Sequence, residues 1–493
     1  MQSDSYYSRK VSYKMGWIIL GAVVVLIAIV MIRTLTLKPT PAKTLKLEFE
    51  KSERATKYGK QLAKMVQDET ISSRFDQDMS KFEKFHQTLE ELFPNVHKVC
   101  EKTVIDGNLL YKWKGKSDKN PILFMSHQDV VEATGVWEHE PFSGDIDEDG
   151  NVWGRGTVDT KGSLFCIFTA FEELIADGYE PECDVYIGSS CTEEWSGDGA
   201  PKTVDYLEKQ GVKLALVLDE GGMIIEEPVG GVKGIYGMVG VIEKGYGDVK
   251  FIAHSNGGHA SAPKNNSPLV RLGKFMVDVE KNYPFRSEMS PTVEEMFRRM
   301  APNMDFGMKL IFANMWLFKP LLVKLLPTIS SAAGAMIRTT CAFTTAKGSD
   351  GLNVLPQEAY VTANMRYIQH QPTDESIEII SKIAKKYDLD TEVIYADQPC
   401  PVVDYKGNGF KLIEEVAQDV YPGLGVSPYC MTGGTDAKYY TKICDNCIRF
   451  APLYINGQQY GSIHGLNENV NQGALPKAVD FYKTVIKKAN SRL

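Results

Sequence analysis

A histidine and an aspartate follow a run of apolar residues in the first third of the chain. Residues 122–131 read ILFMSHQDVV, which predicts a buried strand with His127 and Asp129 at its end. A neutral imidazole binds a divalent metal through one ring nitrogen and often donates its other N–H to a carboxylate, a role that Asp129 could fill. The pair therefore suits a metal site, although a histidine and an aspartate that cap a solvent-exposed strand end would look the same.

Further carboxylates occur where the chain must turn. Asp159 lies in the glycine-rich stretch NVWGRGTVDTKG just before a predicted helix, so it could bind a metal or simply cap that helix. Glu193 and Glu194 are adjacent at the end of an alternating strand, and such carboxylates repel each other unless a cation or a shared proton relieves them. Because neighbouring side chains point in different directions, one can bind a metal while the other faces a water molecule. As plain surface charge the pair would be unremarkable.

Two more candidate ligands come later in the chain. Asp219 ends the apolar run LALVL, and His464 lies in the loop sequence GSIHGLN. Mixed nitrogen and oxygen ligands suit zinc, and a shared carboxylate with one histidine per metal suits a hydrolytic site with two metal ions. The candidates in chain order are His127, Asp159, Glu193, Glu194, Asp219 and His464.

Length and composition limit the kind of protein that holds these residues. With 493 residues, the chain is long enough for at least two domains or for one domain with a large insertion. Its net charge of -8 and the absence of any basic run argue against a nucleic-acid partner, so the expected partners are small molecules. The nine cysteines form no paired disulfide framework, and the single CxxC, at Cys444 and Cys447, lacks a second ligand pair.

One segment is too apolar for a globular domain. Residues 15–32 form an uncharged run long enough to cross a bilayer, and no small-x-small cleavage site follows it, which favours an uncleaved signal anchor over a signal peptide. Basic residues stand on both sides of this run, so they do not choose an orientation. Residues 1–14 form an N-terminal tail. Residues 33–46, with two prolines, resemble a stiff spacer that holds the rest of the protein off the membrane.

From residue 47 onward the sequence is typical of a soluble α/β protein. Residues 51–69 and 75–93 show helical periodicity, and residues 99–104 and 109–113 look like paired strands. Between residues 244 and 398 the pattern changes to that of a small α+β unit. We therefore predict a catalytic domain in two parts, residues 47–243 and 399–493, around an inserted domain at residues 244–398.

The order of several short motifs resembles one known family. The motifs are SHQDVV, WGRGTVDTKG, TEEWSGDGA, VLDEGG, GGHASAP, NVLP, GGTDA and the late histidine. Together they resemble the di-zinc metallopeptidase and amidohydrolase family of glutamate carboxypeptidase, aminoacylase and succinyl-diaminopimelate desuccinylase. The membrane segment and residues 287–345 look most like the branch of vacuolar carboxypeptidase S and the N-fatty-acyl amino acid hydrolases. The resemblance implies a mixed-sheet α/β catalytic domain with two zinc ions per chain, an inserted α+β (ferredoxin-like) lid or dimerisation domain, and one transmembrane helix before them.

The resemblance also implies a role for each matching residue. One zinc ion would be held by His127 and Asp219 and the other by Glu194 and His464, with Asp159 bridging the two. Asp129 would orient His127, Glu193 would act as general base, and a cis peptide bond is expected at Asp159-Thr160. His259 would help to stabilise the oxyanion, in some relatives from the neighbouring subunit, so a homodimer is one arrangement that the family implies. The positions that match substrate-binding residues are Asn353, Arg366, Gly434 and Thr435.

The implied reaction is hydrolysis of an amide bond in an N-acyl amino acid or at a peptide C-terminus, so the substrate carries a free carboxylate. Cys400 stands where glutamate carboxypeptidase has a carboxylate-binding arginine, so we do not expect glutamate specificity, and Arg338 or Arg366 could bind the carboxylate instead. The alternative is a membrane-tethered binding or scaffold protein with the same fold. Such a protein should have lost ligands or the base, whereas all of them are present here.

Two expectations concern the membrane. The protein is predicted to be a single-pass membrane protein with its catalytic domain on the extracytoplasmic or lumenal side. Residues 308–326 are unusually apolar for a lid, and this stretch could be packed in the core, could dip into the bilayer or could form a groove for an acyl chain.

Overall fold

A computed structural model describes residues 2–493 of the chain, and their side chains from residue 15 onward. The helices are α1 (Gln2–Thr36), α2 (Glu53–Val66), α3 (Met79–Leu92), α4 (Pro94–Val99), α5 (Lys161–Ala176), α6 (Gly199–Lys209), α7 (Pro268–Lys281), α8 (Pro291–Met300), α9 (Phe306–Phe312), α10 (Met315–Ile329), α11 (Ser331–Ala335), α12 (Thr373–Lys386), α13 (Asn408–Val420), α14 (Ala437–Tyr440), α15 (Gly457–Gly461) and α16 (Leu475–Arg492). The strands are β1 (Glu101–Ile105), β2 (Asn108–Trp113), β3 (Ile122–Met125), β4 (Asn151–Trp153), β5 (Val185–Ser189), β6 (Leu216–Asp219), β7 (Ile224–Glu226), β8 (Ile235–Glu243), β9 (Gly245–His254), β10 (Gly258–His259), β11 (Thr340–Lys347), β12 (Val354–Leu355), β13 (Glu358–Tyr367), β14 (Asp390–Ala396), β15 (Gly425–Met431), β16 (Cys447–Arg449), β17 (Tyr454–Ile455) and β18 (Asn469–Asn471).

A ten-stranded mixed sheet forms the centre of the molecule, in the order β1-β2-β5-β3-β6-β16-β8-β7-β17, with β15 paired to β8. Its middle strands β5, β3, β6 and β16 run parallel. Such strands are buried on both faces, which explains their continuous apolar runs. In β3, Phe124 packs against Phe171 of α5 and Tyr482 of α16, whereas Leu123 belongs to a cluster on the opposite face with α6. Because parallel strands end at the same edge, the residues after β3, β5 and β6 meet there.

Local predictions made from periodicity are confirmed for this part of the chain. The two predicted helices are α2 and α3, and the predicted strand pair is the β1-β2 hairpin. The predicted strand at residues 122–131 is shorter, because β3 ends at Met125. The chain nevertheless continues alongside β5, since the backbone N–H groups of Ser126 and Gln128 donate to the carbonyls of Gly188 and Ser190.

A second, four-stranded antiparallel sheet is built from residues between 245 and 396, in the order β11-β13-β9-β14. Alternate residues of β9 and β13 are buried. These side chains form a hydrophobic cluster of their own with α7 and α12, in which Phe251 and Phe275 are fully buried. The sequence favoured an α+β unit in this region, and the domain boundaries at residues 244 and 398 stay a prediction.

The N-terminal helix continues directly into the body of the protein. Its segment Met15–Thr36 is long and apolar enough to cross a membrane, a finding that rests on length and composition alone. The predicted spacer at residues 33–46 is not a free tether. Thr40 and Asn303 exchange two hydrogen bonds, and the Ala42 side chain is buried. Thr40 and Ala42 of the predicted spacer therefore contact the folded domain, and the bounds of the linker stay a prediction.

The apolar stretch at residues 308–326 falls on α9 and α10, which meet at an angle of 108°. One face is packed in the core, including Phe312, which stacks on Phe297 of α8. The other face is exposed: Trp316, Leu321 and Ile329 retain 53%, 51% and 73% of their accessible surface. Core packing therefore accounts for the apolar residues on the buried face of these two helices but not for those on the exposed face.

Candidate active site

A cavity of about 1260 Å³ opens between the carboxyl edge of the central sheet and the four-stranded sheet. Acidic residues line the wall on the side of the central sheet. The facing wall contains Lys244, Tyr246 and Arg366, which lie at or near the start of β9 and the end of β13. The cavity thus has one acidic side and one side with cationic groups. The titratable residues on its acidic side are Asp159, Glu193, Glu194, Glu220, Asp436 and His464.

His127 lies buried just after β3, behind the cavity-lining residue Asp159. Its Nδ1 atom is 2.9 Å from the backbone carbonyl oxygen of Asp129. Because a carbonyl oxygen can only accept, Nδ1 carries the proton, and in the neutral ring Nε2 has a free lone pair. That Nε2 atom is 3.0 Å from Asp159 Oδ1. The backbone therefore holds His127 in the tautomer that a metal ligand requires.

His464 approaches the same carboxylate from the other side. Its Nε2 atom lies 3.1 Å from Asp159 Oδ2 and 3.0 Å from Glu194 Oε2. Ligand atoms of His127, Asp159 and Glu194 all lie within 4.8 Å of one another. Glu194 Oε1 is buried and finds no hydrogen-bond donor among the described residues. A buried carboxylate oxygen without a donor is costly unless a cation compensates it, so this donor set fits a divalent metal.

The Asp129 side chain lies closer to the backbone of Glu193 and Glu194 than to His127, which the resemblance implied it would orient. Its carboxylate oxygens accept the backbone N–H groups of Glu193 and Glu194, at 3.2 Å and 3.1 Å. The nearest approach of this carboxylate to His127 Nδ1 is 3.5 Å, longer than the contact that the Asp129 backbone carbonyl makes. Residue 129 thus orients His127 through its main chain and the Glu193-Glu194 turn through its side chain.

The carboxyl groups of the cavity are held close together in a buried place. Burial raises the pKa of Glu193 well above its ordinary value, and the charges of Asp436, Glu220 and Glu194 add to this effect. Burial and the Asp159 charge raise the pKa of Glu194 to about 7. Burial, with Asp219 and Asp129 nearby, raises the pKa of Asp436 to about 8. Such mutual repulsion is what a bound cation relieves.

Asp219 and Glu220 differ from the sequence prediction. Asp219 ends β6, and its oxygens accept the backbone N–H groups of Glu220 and Ala437, both within 2.9 Å. Glu220, not Asp219, lines the cavity. The charges of Asp219, Asp159 and Glu194 add to burial in raising the pKa of Glu220 well above its usual range. The ligand role that the resemblance implied for Asp219 stays a prediction, and Glu220 is a second candidate, because its side chain turns toward the cavity.

The sequence analysis did not identify Arg155 and Glu468, the buried ion pair that holds the loop around Asp159. Glu468 is fully buried, and its Oε1 accepts the N–H groups of Gly156, Val158 and Asp159 at 2.8 to 3.1 Å. Its other oxygen accepts from Arg155 at 2.8 Å. The Asp159-Thr160 peptide bond is cis, as expected. Glu468 lies four residues after His464, and this close spacing to a candidate ligand was the only available signal.

Comparison with known proteins shows which family has this sequence pattern. The sequence model described as peptidase family M20/M25/M40 matches residues 123–488. The chain belongs to this family. It is similar to the N-fatty-acyl-amino acid synthase/hydrolase PM20D1 of Xenopus tropicalis, with 32% identity over 485 residues, which cover 96% of this chain and 94% of the relative. It is also similar to carboxypeptidase S of Saccharomyces cerevisiae, with 28% identity over 476 residues, covering 86% and 82%.

Solved structures share the M20 fold. The M20 family metallo-carboxypeptidase Sso-CP2 from Sulfolobus solfataricus superposes with a TM-score of 0.65 at 19% identity and covers 88% of this chain and 99% of its own. Human carnosine dipeptidase 1 superposes with a TM-score of 0.61 at 13% identity, covering 88% and 96%. The mixed α/β fold and the metallopeptidase family are thus the ones that the motifs indicated. A non-catalytic scaffold protein is not favoured.

Within this M20 chain, some of the predicted substrate-binding residues line the cavity. Arg366 does so, and its guanidinium lies 4.5 Å from the ring centre of Tyr246. Gly434 and Thr435 lie on the opposite wall. The Thr435 N–H and hydroxyl both donate to Glu243, at 3.0 and 3.1 Å, so this N–H is already used.

His259 and Asn353 are placed elsewhere. They lie on the two-stranded ribbon of β10 and β12, where the Ala260 N–H donates to the Asn353 carbonyl. The His259 ring is exposed, and its Nδ1 lies 2.8 Å from Ser261 Oγ. Neither residue is among the described residues that line the cavity. The roles that the resemblance implied for His259 and Asn353 remain predictions, because in a single chain these residues lie outside the cavity.

Proposed function

We propose that this M20 enzyme hydrolyses the amide bond of an N-acyl amino acid, or the last peptide bond of a peptide, and releases a free amino acid. The observation that carries the proposal is the Asp159 carboxylate, which lies between His127 and His464 in the cavity that also contains Glu193. The names of the relatives, an N-fatty-acyl-amino acid synthase/hydrolase and a carboxypeptidase, favour these two substrate classes.

The donor set supports two zinc ions per chain. His464 and Glu194 would hold one ion, His127 and Glu220 the other, and Asp159 would bridge them. In this proposal Glu220 replaces Asp219, the residue that the resemblance implied, because Glu220 lines the cavity while the Asp219 oxygens accept backbone N–H groups. Divalent ions bound here would act as Lewis acids toward the scissile carbonyl and the attacking water. Imidazole with carboxylate ligands is a combination that suits zinc.

Glu193 is the proposed general base. It lines the cavity beside the ligand Glu194, and its backbone is fixed by Asp129. A carboxylate in this position takes a proton from the attacking water and returns it to the leaving nitrogen. Arg366, on the facing wall, would bind the free carboxylate of the substrate.

Metal analysis and hydrolysis assays together test this proposal. The purified protein should contain about two zinc ions per chain, and it should cleave N-acyl amino acids or peptides with a free carboxylate but not their amides. Chelation should remove both the metal and the activity, and zinc should restore them. Failure to bind metal, or equal cleavage of acids and amides, would contradict the proposal.

We further propose that Met15–Thr36 anchors the protein and that the exposed side of α10 rests on the same bilayer. The two elements are in contact: Asn314, just before α10, donates to Thr34 Oγ1 at 3.1 Å and to the Val30 carbonyl at 3.3 Å. Exposed Trp and Leu side chains suit the membrane interface. In liposomes with brominated lipid, the fluorescence of the full chain should be quenched less after Trp316→Phe. An unchanged degree of quenching would contradict contact of α10 with lipid.

A homodimer is proposed because His259 lies outside the cavity of its own chain. In a dimer, the exposed β10–β12 ribbon of one subunit would reach the cavity of the other. Mixed dimers of Glu193→Gln and His259→Ala chains test this arrangement, because one of their two sites would then combine an intact base with an intact histidine. Recovery of activity on mixing supports the arrangement, and a mixture as inactive as its components contradicts it.

A further inference from the structure

A second cavity, of about 240 Å³, adjoins the first one behind Gly221 and is more enclosed. The two cavities have five lining residues in common, so these residues form the boundary between them. Gly221 directly follows the proposed ligand Glu220, which places the junction beside the metal site. The shared residues are Gly221, Met223, Tyr429, Thr432 and Tyr460.

The lining of this side cavity differs in chemistry from that of the metal cavity. As far as the described residues show, no acidic or basic side chain lines it. Four flexible methionines do, and thioether side chains adapt to apolar ligands of varied shape. One wall comes from the segment that follows α10 and includes Ser330, Ala332 and Ala333. The four methionines are Met223, Met238, Met296 and Met336.

The backbone at the junction is adapted to close packing. Gly221 has a φ of +117°, a conformation that residues other than glycine rarely adopt. A Cβ atom at this position would lie 2.7 Å from the Met431 side chain. Glycine therefore allows Met431 to pack against the backbone where the two cavities adjoin.

We propose that the side cavity binds the acyl chain of an N-acyl amino acid substrate. This inference rests on the proposed function and adds the location of the acyl half. The proposed partner of the carboxylate half, Arg366, lines only the larger cavity. With the amide at the metal site, the acyl half extends away from Arg366, and the apolar side cavity adjoins the site there. Burial of each methylene group in it is favourable.

The sequence had offered residues 308–326 as an acyl groove. Trp316 and Phe318 are not among the described residues that line either cavity. The acyl site that we infer instead begins where α10 ends, at Ser330.

Gly230 allows a direct test of this inference. It lines the side cavity, and a Cβ atom added there meets nothing within 4 Å. Because Gly230 is exposed at the wall of the cavity, Gly230→Leu should narrow the cavity without displacing a buried neighbour, and Gly230→Ala should narrow it less. Gly273→Leu is the matched control, because Gly273 on α7 has equally open surroundings and lies far from both cavities in the fold.

The assay compares N-dodecanoyl-leucine with N-acetyl-leucine, using the full chain loaded with zinc. Gly230→Leu should raise KM for the dodecanoyl substrate by about ten-fold or more and leave the acetyl substrate unchanged, with Gly230→Ala in between. Circular dichroism and zinc content should match the wild type. Equal loss on both substrates, or no loss on either, would overturn the acyl site while leaving amide hydrolysis intact. A wild-type enzyme that cleaves neither substrate would overturn the proposed function and this inference together.

Discussion

Asp219 and Glu220 are adjacent in the chain, yet only Glu220 faces the metal cavity, while Asp219 turns its oxygens to the backbone N–H groups of Glu220 and Ala437. Glu220→Gln should therefore lower the zinc content from about two ions to about one per chain. Asp219→Asn should keep both ions and lower the stability by about 1–3 kcal/mol, because an amide offers one acceptor oxygen where two are needed. Metal analysis and thermal unfolding distinguish the two variants. Loss of zinc from the Asp219 variant alone would return the ligand role to Asp219.

Glu193 is expected to matter for chemistry and not for metal binding. Glu193→Gln should lower kcat by roughly 100- to 10,000-fold, since proton transfer by a positioned base contributes about that much. Zinc content should stay unchanged, because Glu194 and not Glu193 lies next to His464. Glu194→Gln is the contrasting variant and should lose zinc. Activity of Glu193→Gln near the wild-type level would exclude Glu193 as the base.

Lys244 is expected to make stability depend on pH. It is buried, has no carboxylate partner among the side chains that the structure describes, and donates to the carbonyls of Ala335 and Arg338. Burial, helped by the nearby Arg366 and Arg338, lowers the pKa of Lys244 from 10.5 to about 7. The unfolded chain thus holds a proton that the folded chain has lost, so the free energy of unfolding rises with pH between these two values.

The variant Lys244→Met isolates this effect. Relative to the variant, the free energy of unfolding of the wild type should rise by about 1.4 kcal/mol per pH unit between about pH 7 and about pH 10. Denaturant titrations at several pH values measure the difference. A flat difference over this range would mean that Lys244 keeps its proton in the folded protein.

Arg449 and Glu243 form a fully buried ion pair, with Arg449 Nε 2.9 Å from Glu243 Oε2. Arg449→Met should destabilise the protein by about 3–5 kcal/mol, because Glu243 is then left charged and buried. The double variant with Glu243→Leu should be less destabilised than Arg449→Met alone. A double-mutant cycle in denaturant checks this, and an additive result would contradict the coupling.

The clustering of the candidate residues was predictable from sequence where they follow strands or sit in glycine-rich loops. His127, Asp159, Glu194 and His464 come together as expected, because apolar runs reveal strands and parallel strands end at one edge. The sequence did not single out Glu220, because the direction of a side chain beyond a strand depends on backbone angles that periodicity does not contain. The role of His259 came from resemblance alone, and no local pattern tells where its side chain lies.

The fold beyond the site was predictable to a similar extent. The helices α2 and α3 and the β1-β2 hairpin follow from periodicity. The docking of Thr40 on Asn303 depends on a contact between residues that lie far apart in the chain, and the local sequence carries no sign of such a contact.

The hydrogen bonds of Asp129 have a consequence for how this enzyme can change over evolution. One residue contacts His127 through its carbonyl and holds both Glu193 and Glu194 through its carboxylate. A substitution there would disturb two of the proposed ligands and the proposed base at the same moment. We therefore expect new substrate preferences to arise at the walls around this cluster and not at position 129.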